Sequence, residues 1–189
     1  MHRQILALCL LALVSLALAQ QPSKFSDEAI AARTAMIQSL QRGKEISGAG
    51  GEVYRHLPEV KAVEGRDAAQ GDVIETKGKM VLYRAAATGS VALGRNGKSA
   101  VYPTVVNAQS GTLGVLTGAL VVKPRNMSDA DAIASSYGLD KGRVFPQLRT
   151  VFYEARPGED IADVSAALQA DPRVESAYPE IIESVRQPK

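Results

Sequence analysis

The chain has 189 residues, with 22 Lys and Arg against 20 Asp and Glu and a formal net charge of +2, and its cations are scattered among the acids. That balance argues against a nucleic-acid-binding stripe. One cysteine, Cys9, and two histidines, His2 and His56, are too few for a Cys/His metal cluster, and no Gly-x-Ser-x-Gly nucleophile elbow occurs anywhere.

Residues 1–19 read as a secretory signal. His2 and Arg3 form a short basic start, residues 5–18 are apolar, and Ala17-Leu18-Ala19 offers a small-x-small cleavage site before Gln20. The apolar run is shorter than the about 20 residues that span a bilayer and has no basic stop after it, so no membrane association is expected once the signal is gone. Cys9 leaves with the signal. The exported chain then has neither a disulfide nor a Cys-His pair, and must rest on packing.

The spacing predicts an amphipathic helix over residues 26–44. Ser26 is its cap, Asp27 and Glu28 sit in the first turn, Ile30, Met36, Ile37 and Leu40 form the apolar side, and Arg42 and Lys44 suit the C-terminal end. Such a helix either packs on the domain behind it or extends toward a partner. Residues 47–51 form a glycine-rich break. Residues 52–70 show no period and contain Pro58 and Gly65, which predicts a loop with His56 as an incidental loop histidine. Short apolar stretches follow at 73–74, 80–85, 91–93 and 100–106, and Asn96-Gly97 is a two-residue hairpin signal, so a small antiparallel meander is expected. Gly94-Arg95-Asn96-Gly97-Lys98-Ser99 has the look of a phosphate loop but has Ala92 where the first glycine belongs and no helix after it, which favours the hairpin.

Residues 112–189 carry the clearest pattern. It gives a strand at 113–123, a helix at 128–137, strands at 143–148 and 150–155, a helix at 159–170 and a strand at 173–182, in the order β-α-β-β-α-β. Ser128 with Asp131 reads as a capping box, and Asp129 adds charge at the helix start. Gly138 stands where a left-handed closing residue is expected. Glu159 and Asp160 suit the first turn of the second helix, and Pro172 ends it. These acid pairs satisfy amides, so no metal site or other cofactor is expected.

Three stretches in this region carry a resemblance. Leu120-Val121-Val122-Lys123 lies on the first strand, Phe145-Pro146-Gln147-Leu148 in the middle hairpin, and Asp171-Pro172-Arg173-Val174-Glu175-Ser176-Ala177-Tyr178-Pro179-Glu180 at the end. Together they resemble the pro-domains of subtilisin-like serine proteases, and a pro-domain made apart from its enzyme is similar to the external chaperones of kexin-like subtilases. The resemblance implies an α+β fold: a ferredoxin-like βαββαβ antiparallel sheet with two helices on one face, here preceded by an N-terminal helix and a β-meander. The expected division is a signal at 1–19, a helical extension at 20–51, an irregular segment and meander at 52–111, a pro-domain-like body at 112–180 and a tail at 181–189.

The resemblance also implies a function. The chain would be a periplasmic protein, able to leave with its partner, that acts in trans as chaperone and inhibitor of a subtilisin/kexin-like serine protease. It would have no catalysis of its own and would be a monomer until bound. The open sheet face would pack on protease helices, with Glu180 first and Glu175 second as acids capping helix N-termini, and Tyr178 between them. The tail, Ile181, Ile182, Glu183, Ser184, Val185, Arg186, Gln187, Pro188 and Lys189, would lie in the active-site cleft as an added strand, with Lys189 or Arg186 in the specificity pocket. A plain inhibitor without chaperone action, or an exported structural or adhesive β-module, are the alternatives, since fold does not fix function.

Overall fold

A computed structural model describes residues 27–96 and 99–183. The signal region, Ser26, the hairpin pair Gly97 and Lys98, and Ser184, Val185, Arg186, Gln187, Pro188 and Lys189 lie outside the described residues. The chain divides into two units at Ser39, taken here one at a time. The first contains α1 (Asp27–Ser39), opened by Asp27 and Glu28. It ends five residues earlier than its sequence pattern predicts. In the second unit Gly43 donates its amide to the His56 carbonyl and Lys44 accepts from the His56 amide, so the backbone of residues 43–44 is committed to a strand partner and cannot turn helical.

The second unit is α+β. Its strands are β1 (Glu45–Ser47), β2 (Val53–Glu64), β3 (Val73–Lys77), β4 (Met80–Arg84), β5 (Gly94–Asn96), β6 (Ser99–Asn107), β7 (Leu113–Pro124), β8 (Asp140–Phe145), β9 (Thr150–Glu154) and β10 (Val174–Ile182), with α2 (Ala130–Tyr137) and α3 (Ile161–Ala170) between them. They form one ten-stranded sheet in the order β3-β4-β2-β6-β7-β9-β8, with β1 on β2, β5 on β6 and β10 on β7. The pairings among the named strands are antiparallel. The expected meander is therefore continuous with the C-terminal strands. Among the described residues no helix is long and apolar enough to cross a membrane.

Strand β7 is the pivot. One of its edges pairs with β10 from Pro124 to Val115, and the other is shared by β6 at Leu113 to Val115 and β9 at Ala119 to Val122. The sheet forks between β6 and β9 at Gly118, whose φ of 91° suits glycine and whose carbonyl accepts the Ala155 amide. Leu93 fills the fork so closely that a Cβ on Gly118 would lie 2.4 Å from its Cδ1. Residues 91–93, expected as a strand, are instead a crossing segment that makes a single bridge from Ala92 to Asp160 and buries Val91 in the core.

Alternation along β7 places Leu116, Leu120 and Val122 in the main core. They join Val151 and Tyr153 of β9, Val174 and Ala177 of β10, Ile133 of α2, and Ile161 and Leu168 of α3. Each fully buried Leu or Ile contributes roughly 1.5–3 kcal/mol. The Tyr153 hydroxyl donates to the Ala130 carbonyl at 2.8 Å, which ties β9 to the start of α2. Burial pushes the Tyr153 phenol up to about 12.

Two local expectations are corrected. The predicted loop at 52–70 contains the twelve-residue β2, whose alternating burial is broken at His56-Leu57-Pro58 and again at Ala62-Val63, where consecutive residues are all buried, so no single period runs its length. Pro58 sits where β2 loses register with β6, between His56 and Lys61, and needs no ladder donor there. The Ser128/Asp131 capping box does not form. Met127–Asp129 is a 3₁₀ turn, Asp129 is already helical and makes no side-chain cap bond, and Asp131 pairs with Lys141. Gly138 does close α2 in the left-handed region.

Helix α3 starts one residue after Asp160, whose extended backbone lets Oδ1 accept from the Ala162 and Asp163 amides. Its other oxygen takes Lys44 at 3.0 Å and the Val91 amide. Burial pushes the Asp160 carboxyl up, but Lys44 and these amides outweigh it and hold it below its ordinary value. At the far end Asp171 receives Arg173 and the Tyr137 hydroxyl, and the Arg173 guanidinium holds its carboxyl far below the usual range.

Candidate interaction face

The register defines the face of the sheet turned away from α2 and α3. Tyr178 lies opposite Val121, Ser176 opposite Lys123, Val121 opposite Phe152, and Thr150 opposite Phe145. Opposed residues in antiparallel strands point the same way, so Tyr178, Val121, Phe152 and Phe145 form one apolar row across four strands. The Phe145 and Phe152 rings meet edge to face at 5.7 Å, and the Arg143 guanidinium lies 4.7 Å over Phe152. Leu148, in the 3₁₀ turn Pro146–Leu148, is 65% exposed beside this row. With Val121, Lys123, Thr150, Ser176 and Tyr178 it lines a shallow groove of about 340 Å³. The segment expected as strand to residue 148 thus ends at Phe145, and the turn lifts Leu148 off the sheet.

Both predicted acids lie where the β7–β10 ladder changes register. Glu175 is the extra residue between the Val174 and Ser176 rungs, and Glu180 faces the extra residues of β7 around Gly118. A bulge re-aims the side chain it carries or opposes. Glu175 meets Arg149 at 3.1 Å and Lys123 at 3.4 Å. Arg149 reaches it from a left-handed backbone, φ 49° and ψ 42°. Glu180 accepts the Thr117 hydroxyl at 2.8 Å and lies 3.8 Å from Arg143. These pairs are solvent-exposed enough to be worth at most about 1 kcal/mol each. They orient the acids more than they stabilise the fold.

The expected tail is shorter than residues 181–189. Ile181 and Ile182 still belong to β10, opposite Leu116 and Val115, because β7 is long enough to offer them ladder partners. Glu183 is held as well: its carbonyl accepts Lys77 Nζ at 2.6 Å and its carboxylate accepts Asn107 Nδ2 at 3.2 Å. Sequence reasoning missed this anchor, since Lys77 and Glu183 are 106 residues apart.

His56 lies on buried β2 rather than in a loop, with neither ring nitrogen hydrogen-bonded among the described residues. That environment suits a packed neutral imidazole. Gly94, Arg95 and Asn96 of β5 pair antiparallel with Val101, Ala100 and Ser99 of β6, while Gly97 and Lys98 between them lie outside the described residues. Among the described residues no group of His, Cys, Asp and Glu is arranged to hold a metal.

Fold and face together define an α+β domain built on an antiparallel sheet, with part of one face left open. Residues 47–188 match the family described as the Open reading frame 2 N-terminal domain, and the chain belongs to that family. It is also similar to a chain of the crystal structure of the Aeromonas sobria serine protease (ASP) and chaperone (ORF2) complex, at 21% identity and a TM-score of 0.38, over 52% of this chain and 100% of that one. The comparison with curated proteins gives no match.

Proposed function

We propose that this chain is an exported chaperone that acts in trans on a subtilisin- or kexin-like serine protease and inhibits the enzyme it has helped to fold. The observation that carries the reading is the open sheet face, where an apolar row of Tyr178, Val121, Phe152 and Phe145 is flanked by Glu175 and Glu180. An apolar centre with charged groups at its edge is what a protein partner needs. The two acids suit exposed helix N-termini, where free amides and the dipole favour an anion. Membership of a family that shares its designation with the chaperone of the solved protease complex supports the same reading.

We read the C-terminal strands as ferredoxin-like, since β7-α2-β8-β9-α3-β10 has the sheet order β10-β7-β9-β8. Residues 1–19 would direct export to the periplasm. Residues 184–189 would enter the active-site cleft beyond the Glu183 anchor, with Arg186 or Lys189 in the specificity pocket. An interface of face plus tail would bury on the order of 1,600 Å².

The face is tested by Leu148→Asp combined with Tyr178→Ala. Both side chains leave the main core untouched, so the melting temperature should stay within a few degrees, while affinity for a folded subtilisin-like protease falls at least tenfold, measured by titration calorimetry. Unchanged affinity with an unchanged fold would remove this face from the interface.

A further inference from the structure

We infer that Lys77, together with Asn107 and Gly114, is a positioning device that fixes the direction in which the chain leaves the sheet at Glu183. The N-terminal strands are thereby a platform for the segment 184–189; this deepens the chaperone and inhibitor reading and rests on it.

The observations converge on one residue. Lys77 closes β3, and its side chain is only 8% exposed. Burying an ammonium is costly unless its donors are used, and an apolar residue of similar size would pack at lower cost. Here the donors go to the Glu75 carboxylate at 3.1 Å and to the Glu183 carbonyl at 2.6 Å. The buried charge therefore holds backbone, at a point just beyond the last rung of the β7–β10 ladder, Ile182 opposite Val115.

Asn107 grips the side chain of the same residue. It is itself immobilised, with Oδ1 accepting the Gln109 and Ser110 amides and its own amide donating to the Thr112 carbonyl. Only its Nδ2 is left to reach Glu183, and it does so at 3.2 Å. Gly114 clears the path beneath. A Cβ there would lie 2.6 Å from Ile181 Cγ2, 3.1 Å from Val105 Cγ2 and 3.6 Å from Glu183 Cγ. Tyr54 completes the surroundings: burial first, then the bond it donates to Glu52 and the nearby Glu183 carboxylate, push its phenol well above its ordinary value. Strands β2, β3, β6 and β7 thus all contribute to holding the last described residue before the tail.

The physical consequence is preorganisation. A segment that enters a cleft as an added strand loses backbone freedom on binding, and fixing its root beforehand removes part of that cost. Without the clamp the face would still bind, but the tail would have to find the cleft from a loose root.

The test uses the full chain with Lys77→Met, which keeps the volume and removes the donors. Inhibition of an already folded subtilisin-like protease should weaken about tenfold, the worth of roughly one residue's backbone order, while binding through the sheet face persists. Amide hydrogen exchange at residues 182–183 should accelerate in the free protein. Lys77→Arg, which keeps a donor, should restore much of both. Glu183→Ala, which removes the carboxylate that accepts from Asn107 and lies beside Tyr54 but keeps the carbonyl that accepts from Lys77, should move both readouts the same way by a smaller factor and stands in if Lys77→Met does not fold. Unchanged exchange and unchanged inhibition in these variants would overturn the inference. If the unsubstituted chain inhibits no protease, the parent reading fails and exchange alone decides: acceleration supports the clamp and no change refutes it.

Discussion

Replacing Leu120 by alanine is expected to cost about 3–5 kcal/mol, measured as a loss in urea unfolding free energy. Leu120 is fully buried at the middle of β7, the strand that β6, β9 and β10 all share. Its ladder partners are Tyr153 and Pro179, and it belongs to the cluster capped by Ile133, Ile161 and Leu168. Two flanking strands and two helices hold the walls of the cavity apart, so little of it can collapse. Val121 is the contrast. One residue along, it lies on the open face between Tyr178 and Phe152, and Val121→Ala should cost no more than about 1 kcal/mol. That second variant should instead weaken protease binding. Equal stability losses from the two would contradict the assignment of faces.

A second large effect is expected from acid. His56 is fully buried, with Gly43 packed against its ring so that a Cβ there would lie 3.1 Å from Nδ1. Its pKa is lowered to about 4, first by burial and then by Lys61 and Lys44, with Asp160 acting in the opposite sense. The unfolded chain keeps an ordinary histidine near 6.5 and so binds the extra proton first as pH falls. Stability should therefore be full above about pH 6.5 and decline by roughly 3 kcal/mol as pH falls toward 4. Asp160 and Asp171 are held below their ordinary value of 3.8, so their contributions are lost at lower pH and leave this window to His56. His56→Phe should flatten the urea midpoint between pH 7 and pH 4.5 relative to the unsubstituted protein. An identical slope in both would place the acid sensitivity elsewhere.

The C-terminal helices and most of β7, β9 and β10 were legible because their buried residues recur with a clear period, whereas β8, exposed along its whole length, carries no such stripe and lies three residues earlier than expected. The stripe of Ile161, Val164 and Leu168, the Gly138 stop and the Asp171-Pro172 break all leave periodic marks in the sequence. The resemblance names Tyr178, Glu175 and Glu180 as a set; in the structure Tyr178 lies on β10 between the two register breaks at which Glu175 and Glu180 sit. What the sequence hid has physical causes. Strand β2 has its alternation broken by the buried run His56-Leu57-Pro58, and Pro58 itself suggests a loop, so no continuous period marks it. The 3₁₀ turn at Met127–Asp129 displaced a cap that looked complete on paper. Bulges that turn Glu175 and Glu180 depend on the registers of two strands, and the Lys77–Glu183 bond on a closure across 106 residues; neither has a local signal.

The most direct measurement is refolding in trans. A subtilisin- or kexin-like protease is denatured, diluted into native buffer with or without this protein, and assayed for activity after the complex is dissociated. The account predicts recovered activity only in the presence of this protein, with the Leu148→Asp and Tyr178→Ala double variant losing most of the effect. Equal recovery with and without it, or inhibition of folded enzyme with no recovery of denatured enzyme, would contradict the chaperone reading.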